Sequence, residues 1–276
     1  MSARKKAATK AATLKSDIII IGAGPAGLCL AKALAPTGLS ITLLERAPLA
    51  NLRDAKPDGR DIALTHLSRT LLSQLGIWQL IPQDEINPLH EARVVNGTSP
   101  YFLRFYQPAA PNDALGFLVP NYVIRRAAFA SLKGLGNVTL LTEAAVSSVK
   151  TSSKKAEAVL EDGRKLEARL LIAADSRFSA SREQMGIAIE RKDFGRTVIV
   201  GRVKHSKPHN DIAYECFIDE QTLAVLPLHG GKNSSFVITL PTDVAEDVMN
   251  MPDKEFGAFL TSRFQNRVGK MEVTGG

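Results

Sequence analysis

A chain of 276 residues with 45% apolar side chains and a formal charge of +7 can bury a core for one large domain or two interleaved ones. No apolar run reaches the roughly 18–20 residues of a membrane-spanning helix, and no basic stripe with interleaved aromatics marks a nucleic-acid surface. The expectation is a soluble, cytoplasmic protein with no nucleic-acid partner, whose two cysteines, Cys29 and Cys216, are small core residues in a reducing compartment.

The first sixteen residues, MSARKKAATKAATLKS, hold five Lys/Arg and no acid. They are too weakly apolar for a secretory signal. They predict a disordered basic tail over 1–16, with a weak electrostatic hold on an anionic membrane or an organellar transit role as alternatives.

From Asp17 the chain reads DIIIIGAGPAGLCLAKALAPTGLSITLLER. Ile18 to Ile21 form a continuous β-branched run, as in a parallel strand covered on both faces. A helix is predicted over 25–35, with Pro25 in its first turn, and a strand over 40–44. Residues 58–78 hold a second helix, with Gly76 just past its end. EARVVNGTSPYFLRFY predicts two strands around Asn96-Gly97, YQPAAPNDAL a loop, LGFLVP a short strand and 121–132 a helix. VTLLTEAAVSSVKTSSKKAEAVLEDGRKLEARLLIAAD predicts a meander turning at Asp162-Gly163. After a polar joint near 183–195 come four strands (TVIVGRV, AYECFI, TLAVLPL, SFVITLP), helices over 242–250 and 253–265, and KMEVTGG. Trp78 is expected in the core.

The fold class that follows is α/β. A Rossmann-like cofactor domain (17–90 and 119–185) is interleaved with an antiparallel substrate sheet (91–118 and 186–276).

Gly22-x-Gly24-x-x-Gly27 follows a strand and opens a helix. The first glycine permits the turn, the second lets a pyrophosphate approach the backbone, and the third lets helix and strand pack closely. Pro25 and Ala26 complete the turn, and the helix N-terminus favours an anion. Glu45 ends the second strand, where a carboxylate accepts both hydroxyls of a ribose and disfavours a 2′-phosphate. The bland alternative is a glycine-rich turn beside a surface glutamate. His205-x3-His209 has metal-like spacing, but no acid or cysteine completes it, so no metal is expected. Ser and His occur without a nucleophile elbow.

Four further segments carry a resemblance: DGRDIALTHLSRTLLSQLGIW, LGFLVPNYVIRRAAF, LLIAADSRFSASREQMGI and TLAVLPL. Together with the glycine motif they resemble the class A FAD-dependent aromatic monooxygenases of the ubiquinone-biosynthesis hydroxylase family, which have the p-hydroxybenzoate hydroxylase-like fold. The likeness is greatest to the 5-demethoxyubiquinol hydroxylase (UbiM-like) branch, where Ala-Asp-Ser-Arg-Phe-Ser replaces the commoner Ala-Asp-Gly. It runs from about residue 15 to the end.

The resemblance implies FAD as cofactor, NAD(P)H as co-substrate and a polyprenylated phenol or quinol as substrate. The flavin carries the chemistry, so no catalytic side chain is expected. It implies that Gly22, Gly24 and Gly27 bind the pyrophosphate and Glu45 the adenosine ribose, with Arg46 beside it. Arg60 lies near the flavin, and Asn121 and Arg125 touch the ribityl–phosphate region. Val146 meets the adenine through its backbone, and Asp175 serves at a strand end. Plainer readings stand beside these: a surface ion pair for Arg60, an N-cap for Asn121 and a solvated helix residue for Arg125. Ser176 stands where the family often has glycine, which tolerates φ > 0 as serine does not.

Phe102, Phe105, Phe217, Leu226 and Phe236 are candidate linings of an apolar substrate sheet. Peripheral association with the inner membrane and membership of a ubiquinone-biosynthesis complex are further implications. Family members continue past KMEVTGG with a Gly-Asp-Ala-Ala segment that completes the flavin site, so the resemblance implies a C-terminally truncated chain that holds FAD weakly and hydroxylates poorly, if at all. Two other classes stay open: another enzyme of this flavin fold (a prenyl reductase, or a halogenase, whose Trp-x-Trp-x-x-Ile is absent) and a non-catalytic scaffold.

Overall fold

The computed structural model describes residues 13–106, 114–218 and 221–275. The expected loop over 106–115 and most of the basic tail therefore fall largely outside the described residues. The strands in chain order are β1 (Leu14–Ile21), β2 (Ile41–Leu44), β3 (Asp61–Leu64), β4 (Asn87–Leu89), β5 (Glu91–Asn96), β6 (Phe102–Phe105), β7 (Gly116–Pro120) and β8 (Val138–Leu141). Then come β9 (Val146–Thr151), β10 (Ala156–Leu160), β11 (Lys165–Ala173), β12 (Arg196–His205), β13 (Ile212–Ile218), β14 (Gln221–Leu228), β15 (Asn233–Pro241) and β16 (Met271–Gly275). The helices are α1 (Pro25–Leu34), α2 (Ala50–Arg53), α3 (His66–Gln74), α4 (Asn121–Ala130), α5 (Ala180–Gln184), α6 (Thr242–Met249) and α7 (Asp253–Arg263). Among the described residues no helix is long and apolar enough to cross a membrane.

The chain forms two compact units: residues up to Ala55 with Ala128–Glu190, and Lys56–Ala127 with Arg191 onward. By contacts, residues 56–90 and 119–127 cluster with the second unit, so compactness and the expected cofactor contacts divide the chain at different points.

The first unit is a six-stranded sheet in the order β8-β2-β1-β11-β10-β9. The pairs β8–β2, β2–β1 and β1–β11 are parallel, while β11, β10 and β9 form the expected antiparallel meander. Ile18 to Ile21 and Ile41 to Leu44 are buried, because a strand inside a parallel sheet has both faces covered. β1 starts at Leu14, inside the stretch expected to be a disordered tail. Leu14, Lys15 and Ser16 pair with Leu166, Glu167 and Ala168 of the long β11, and Lys15 lies 3.7 Å from Glu167. The ladder partner, invisible in local composition, orders them.

The second unit holds a seven-stranded sheet, β16-β12-β15-β14-β13-β5-β6, and a three-stranded one, β3-β7-β4. Most of the large sheet is antiparallel; β13 and β5 run parallel. Burial alternates along its strands as a one-sided sheet requires. Ile199, Val203, Leu223, Val225, Phe236, Ile238 and Leu240 face a core shared with Val248 of α6 and with Phe256 and Leu260 of α7. Cys216 joins this core, whereas Cys29 of the first unit is only half-buried; both are free thiols. Within residues 58–78, expected to hold a helix, Asp61–Leu64 form β3 first. The helix starts at His66, where the Thr65 side chain accepts from the Ser68 N–H at 3.2 Å. Trp78 is half-buried rather than core; its ring meets Phe117 edge-on at 5.5 Å under the Arg69 guanidinium, and the adjacent Ile77 is the fully buried residue.

β16 (Met271–Gly275) is an edge strand paired with β12, and one threonine ties it to α7. Thr261 Oγ1 donates to the Gly257 carbonyl at 2.7 Å and accepts the Met271 N–H at 2.8 Å. A Cβ on Gly257 would sit 2.6 Å from the Met271 carbonyl oxygen. Gly257→Ala is therefore expected to destabilise the chain by about 1–3 kcal/mol through steric overlap, although alanine is the better helix former by about 1 kcal/mol. Urea unfolding of the two proteins measures the sign directly.

Candidate functional site

In the first unit the parallel strands β1, β2, β8 and β11 end side by side, and the turns leaving them gather the expected cofactor residues. After Ile21 the chain turns at Gly22, with φ 103°, and its N–H donates to the Leu44 carbonyl at 2.8 Å. A Cβ here would overlap the Ala174 carbonyl and lie 3.1 Å from the Asp175 Cα. The first glycine is therefore demanded by the other sequence motif, LIAADS, at the end of the neighbouring strand. A Cβ on Gly27 would overlap the Gly22 carbonyl, which is why α1 can pack so closely on the turn. Gly24 differs: with φ −72° it needs no special backbone, and its Cβ would meet nothing within 4 Å. Nothing in the protein explains that glycine, so the space above it is available to a ligand. Gly24 is also the N-cap of α1, gives no side-chain cap, and leads into Pro25 and Ala26, so the first-turn N–H groups face outward without a side-chain acceptor.

Glu45, half-buried at the end of β2, accepts the Ala23 N–H through Oε2 and the Ala47 N–H through Oε1, both at 2.9 Å. Its carboxylate is thereby fixed against the glycine turn, with further lone pairs on each oxygen for hydroxyl donors. Arg46 is exposed beside it. Segment 143–146 joins the same edge: the Ala144 N–H donates to the Glu45 carbonyl at 2.9 Å, and Val146 opens β9 two residues on.

At the end of β11, Asp175 Oδ2 accepts the Ser181 N–H at 3.2 Å, while Oδ1 is buried without a partner. Burial raises its pKa most, but hydrogen bonding from Ser179 and Ser181 outweighs it and leaves the carboxyl below its ordinary value. Ser176 adopts φ 106°, the backbone expected of glycine at this point, and its Oγ accepts the Phe178 N–H at 3.3 Å.

The other expected residues lie in the second unit. Asp58, which the sequence analysis passed over, joins them. Its Oδ2 accepts from Arg60 Nε at 3.1 Å and from Asn121 Nδ2 at 2.7 Å, and the Asn121 N–H donates to the Arg60 carbonyl at 2.9 Å. Burial is the largest influence on Asp58 and raises its pKa, yet Arg60 and Asn121 hold it below the usual range. Arg60 thus has the ion-pair geometry of its plainer reading, and buried Asn121 braces Asp58. The signal was present in Asp58-Gly59-Arg60, an Asx-type turn in which the aspartate also accepts the Arg60 N–H at 3.3 Å. Arg125 is half-buried one turn further along α4.

His205 and His209 are both buried, with ring centroids 5.8 Å apart. His205 bonds the Lys207 carbonyl at 2.6 Å and Ser234 Oγ at 2.9 Å, and His209 bonds the Leu228 carbonyl at 2.8 Å and the Asp211 N–H at 2.9 Å. All four ring nitrogens thus serve loop structure. Of the candidate linings, Phe236 is core: it is 1% exposed and meets Phe256 edge-on at 5.6 Å. Register puts Phe102 on that helix-covered side, opposite Val95, and Phe105 and Leu226 on the other side of the sheet with the exposed Phe217.

A parallel sheet with a glycine turn, a carboxylate fixed beside it and an uncapped helix N-terminus defines a dinucleotide-binding α/β fold. The family model for the FAD binding domain matches residues 15–275. The chain is 46% identical to ubiquinone hydroxylase UbiM of Neisseria meningitidis over 95% of its length, and 34% identical to ubiquinone hydroxylase UbiL of Rhodospirillum rubrum over 97%. It spans 57% and 62% of those two proteins. Among solved structures it is similar to PqsL of Pseudomonas aeruginosa in complex with 2-aminobenzoylacetate, with a TM-score of 0.76 at 19% identity, covering 95% of this chain and 73% of that one. It is also similar to the flavin-dependent monooxygenase PieE, with a TM-score of 0.74 at 15% identity, covering 95% and 49%. The chain belongs to the FAD binding domain family.

Ser176→Gly is expected to stabilise the chain by about 1 kcal/mol by removing a strained positive φ, read from the urea midpoint. A second expectation concerns pH. Burial, the dominant influence, lowers the His205 pKa from its ordinary 6.5. As pH falls the unfolded chain takes up this proton before the folded one. Stability is therefore whole above about pH 6.5 and declines below it. Unfolding free energies between neutral and mildly acid pH should fall for the wild type and fall less for His205→Asn.

Proposed function

We propose that this chain forms the dinucleotide-binding and substrate-sheet portion of an FAD-dependent monooxygenase that hydroxylates the aromatic ring of a polyprenylated ubiquinone precursor, using NAD(P)H and O2. The observation that carries the reading is Gly24: a glycine required by neither backbone nor packing, at an uncapped helix N-terminus, between a fixed carboxylate and a strand-end aspartate with an orphaned buried oxygen. These features fit FAD. Its pyrophosphate would lie over Gly24 and Pro25 and take backbone N–H groups of the first turn of α1, Ala26 among them since Pro25 has none, with Gly22 and Gly27 keeping the turn tight. Glu45 accepts the adenosine ribose hydroxyls, and Arg46 lies beside them. The Val146 backbone meets the adenine, and Asp175 Oδ1 awaits a donor from the cofactor or the nicotinamide nucleotide. Arg60, Asn121 and Arg125 serve the flavin and ribityl–phosphate end, with Asp58 fixing the first two.

When bound, FAD would supply the redox chemistry that couples NAD(P)H oxidation to insertion of one oxygen atom of O2 into the ring, the other leaving as water. The chain's own part is to bind, orient and keep water from the reacting ring. A polyprenylated substrate dissolves in lipid, so the protein works at a membrane surface, beside other enzymes that modify the same quinone ring.

Gly24→Ala separates the ligand's claim on this glycine from the fold's. The variant should unfold within about 1 kcal/mol of the wild type, since its Cβ enters open space and an N-cap change is small, yet bind FAD at least about tenfold more weakly by flavin fluorescence titration. Equal FAD affinity in the two proteins would remove the pyrophosphate from this turn. NAD(P)H-dependent gain of one oxygen by a prenylated phenol, followed by mass spectrometry, tests the reaction.

A further inference from the structure

On the face of the large sheet turned away from α6 and α7, one row of residues crosses six strands. Val200 opposes Val237, Val237 opposes Ala224, Ala224 opposes Glu215, Glu215 opposes Val94, and Val94 opposes Leu103. Directly opposed residues share a face. Five of these side chains are apolar and the sixth is a carboxylic acid. Along β13 the neighbours of Glu215 on this face are Ala213 and Phe217, the latter 45% exposed.

Glu215 is half-buried, and no hydrogen bond or ion pair from the described residues reaches it. Burial alone acts on its carboxyl and raises its pKa above the ordinary value. Three other acids of this unit are matched: Asp58 by Arg60, Glu91 by Arg93 and Arg104, and Asp61 by Arg202. Glutamate is a poor strand former, and desolvating an unmatched carboxyl costs stability. Folding gains nothing from this residue at this position.

The row also narrows what could match it. An ammonium ion would lose its hydration against valines, alanine and leucine without compensation, and an anion would be repelled. A flat apolar ring with one hydroxyl group meets both demands: the ring lies on the apolar row, and its O–H donates to the carboxylate in a charge-assisted hydrogen bond. We propose that Glu215 is the acceptor for the ring hydroxyl of a phenolic or quinol substrate, with Val94, Ala224 and Phe217 forming the apolar floor around it. The identity of the ring as a quinone precursor rests on the function proposed above; the acceptor chemistry does not. A phenol that donates to a carboxylate gains electron density on its ring, which favours attack by an electrophilic oxygen.

The test uses guaiacol and its methyl ether veratrole as probes, which differ in one hydroxyl hydrogen. Binding to the 276-residue chain is followed by carbon NMR of glutamate side-chain carboxyls, with the Glu215 signal assigned by its loss in Glu215→Gln. The wild type should bind guaiacol about tenfold more tightly than veratrole, with the Glu215 carboxyl signal moving only for guaiacol. Glu215→Leu should abolish the preference while remaining folded by circular dichroism. Equal binding of the two probes to the wild type, or a preference that survives in Glu215→Leu, overturns the inference; the first needs no variant. FAD titration of the same samples is independent. A chain that binds FAD without discriminating the probes loses this site and keeps the flavin reading. One that discriminates them without binding FAD keeps the site and loses that reading.

Discussion

The first unit depends on a single close approach. Where β1 ends, its backbone passes so near the end of β11 that residue 22 has no room for a side chain against Ala174 and Asp175. That contact sets the direction of the turn, and the turn starts α1 over Gly24 and Pro25. The same turn offers the Ala23 N–H to Glu45, which ties the end of β2 to it. Three strand ends and a helix N-terminus are thus organised by the absence of one Cβ. Ligands of open parallel sheets bind at such strand ends because uncancelled N–H groups and the helix dipole face one way there.

The second unit solves a different problem. A seven-stranded sheet buries one face under α6 and α7, and there the core is apolar, from Ile199 and Val203 through Leu223 and Val225 to Phe236, Ile238 and Leu240, with buried Ser234 and His205 hydrogen-bonded to each other at its edge. The opposite face is covered less completely, so it tolerates polar groups if they are paired or solvated. Arg202, on this face, follows that rule by pairing with Asp61 of β3 at 2.7 Å. Glu215 does not, and an unmatched carboxyl amid valines is the kind of exception that marks a working surface.

Legibility varied with the range of the interaction. The glycine motif, the parallel run Ile18–Ile21, the Asn96-Gly97 hairpin, the Gly76 helix stop and the four closing strands were readable, because each is written in residues a few positions apart. Ser176 was readable as a conflict, a serine where a glycine backbone is needed, and its φ of 106° carries that conflict into the structure. Asp58 was missed because its role lies in a contact with Asn121, sixty-three residues away. Phe236 looked like a substrate-lining aromatic because composition alone does not say which face of a strand is covered.

By itself the sequence determined the local grammar: most of the strands and helices, the glycine-rich turn inside the first βαβ unit with an acid at the end of the next strand, and the resemblance to an FAD-dependent family. Those properties follow from side-chain period, glycine tolerance of φ and carboxylate chemistry, all of which act over a turn or a strand. Only the tertiary structure decided why each glycine is there, with Gly22 and Gly27 serving packing and Gly24 serving neither packing nor backbone. It alone ordered Leu14–Ser16 through β11 and made Met271–Gly275 an edge strand on β12. It alone isolated Glu215 in its apolar row, because strand pairing sets it beside Val94, which the chain keeps more than a hundred positions away.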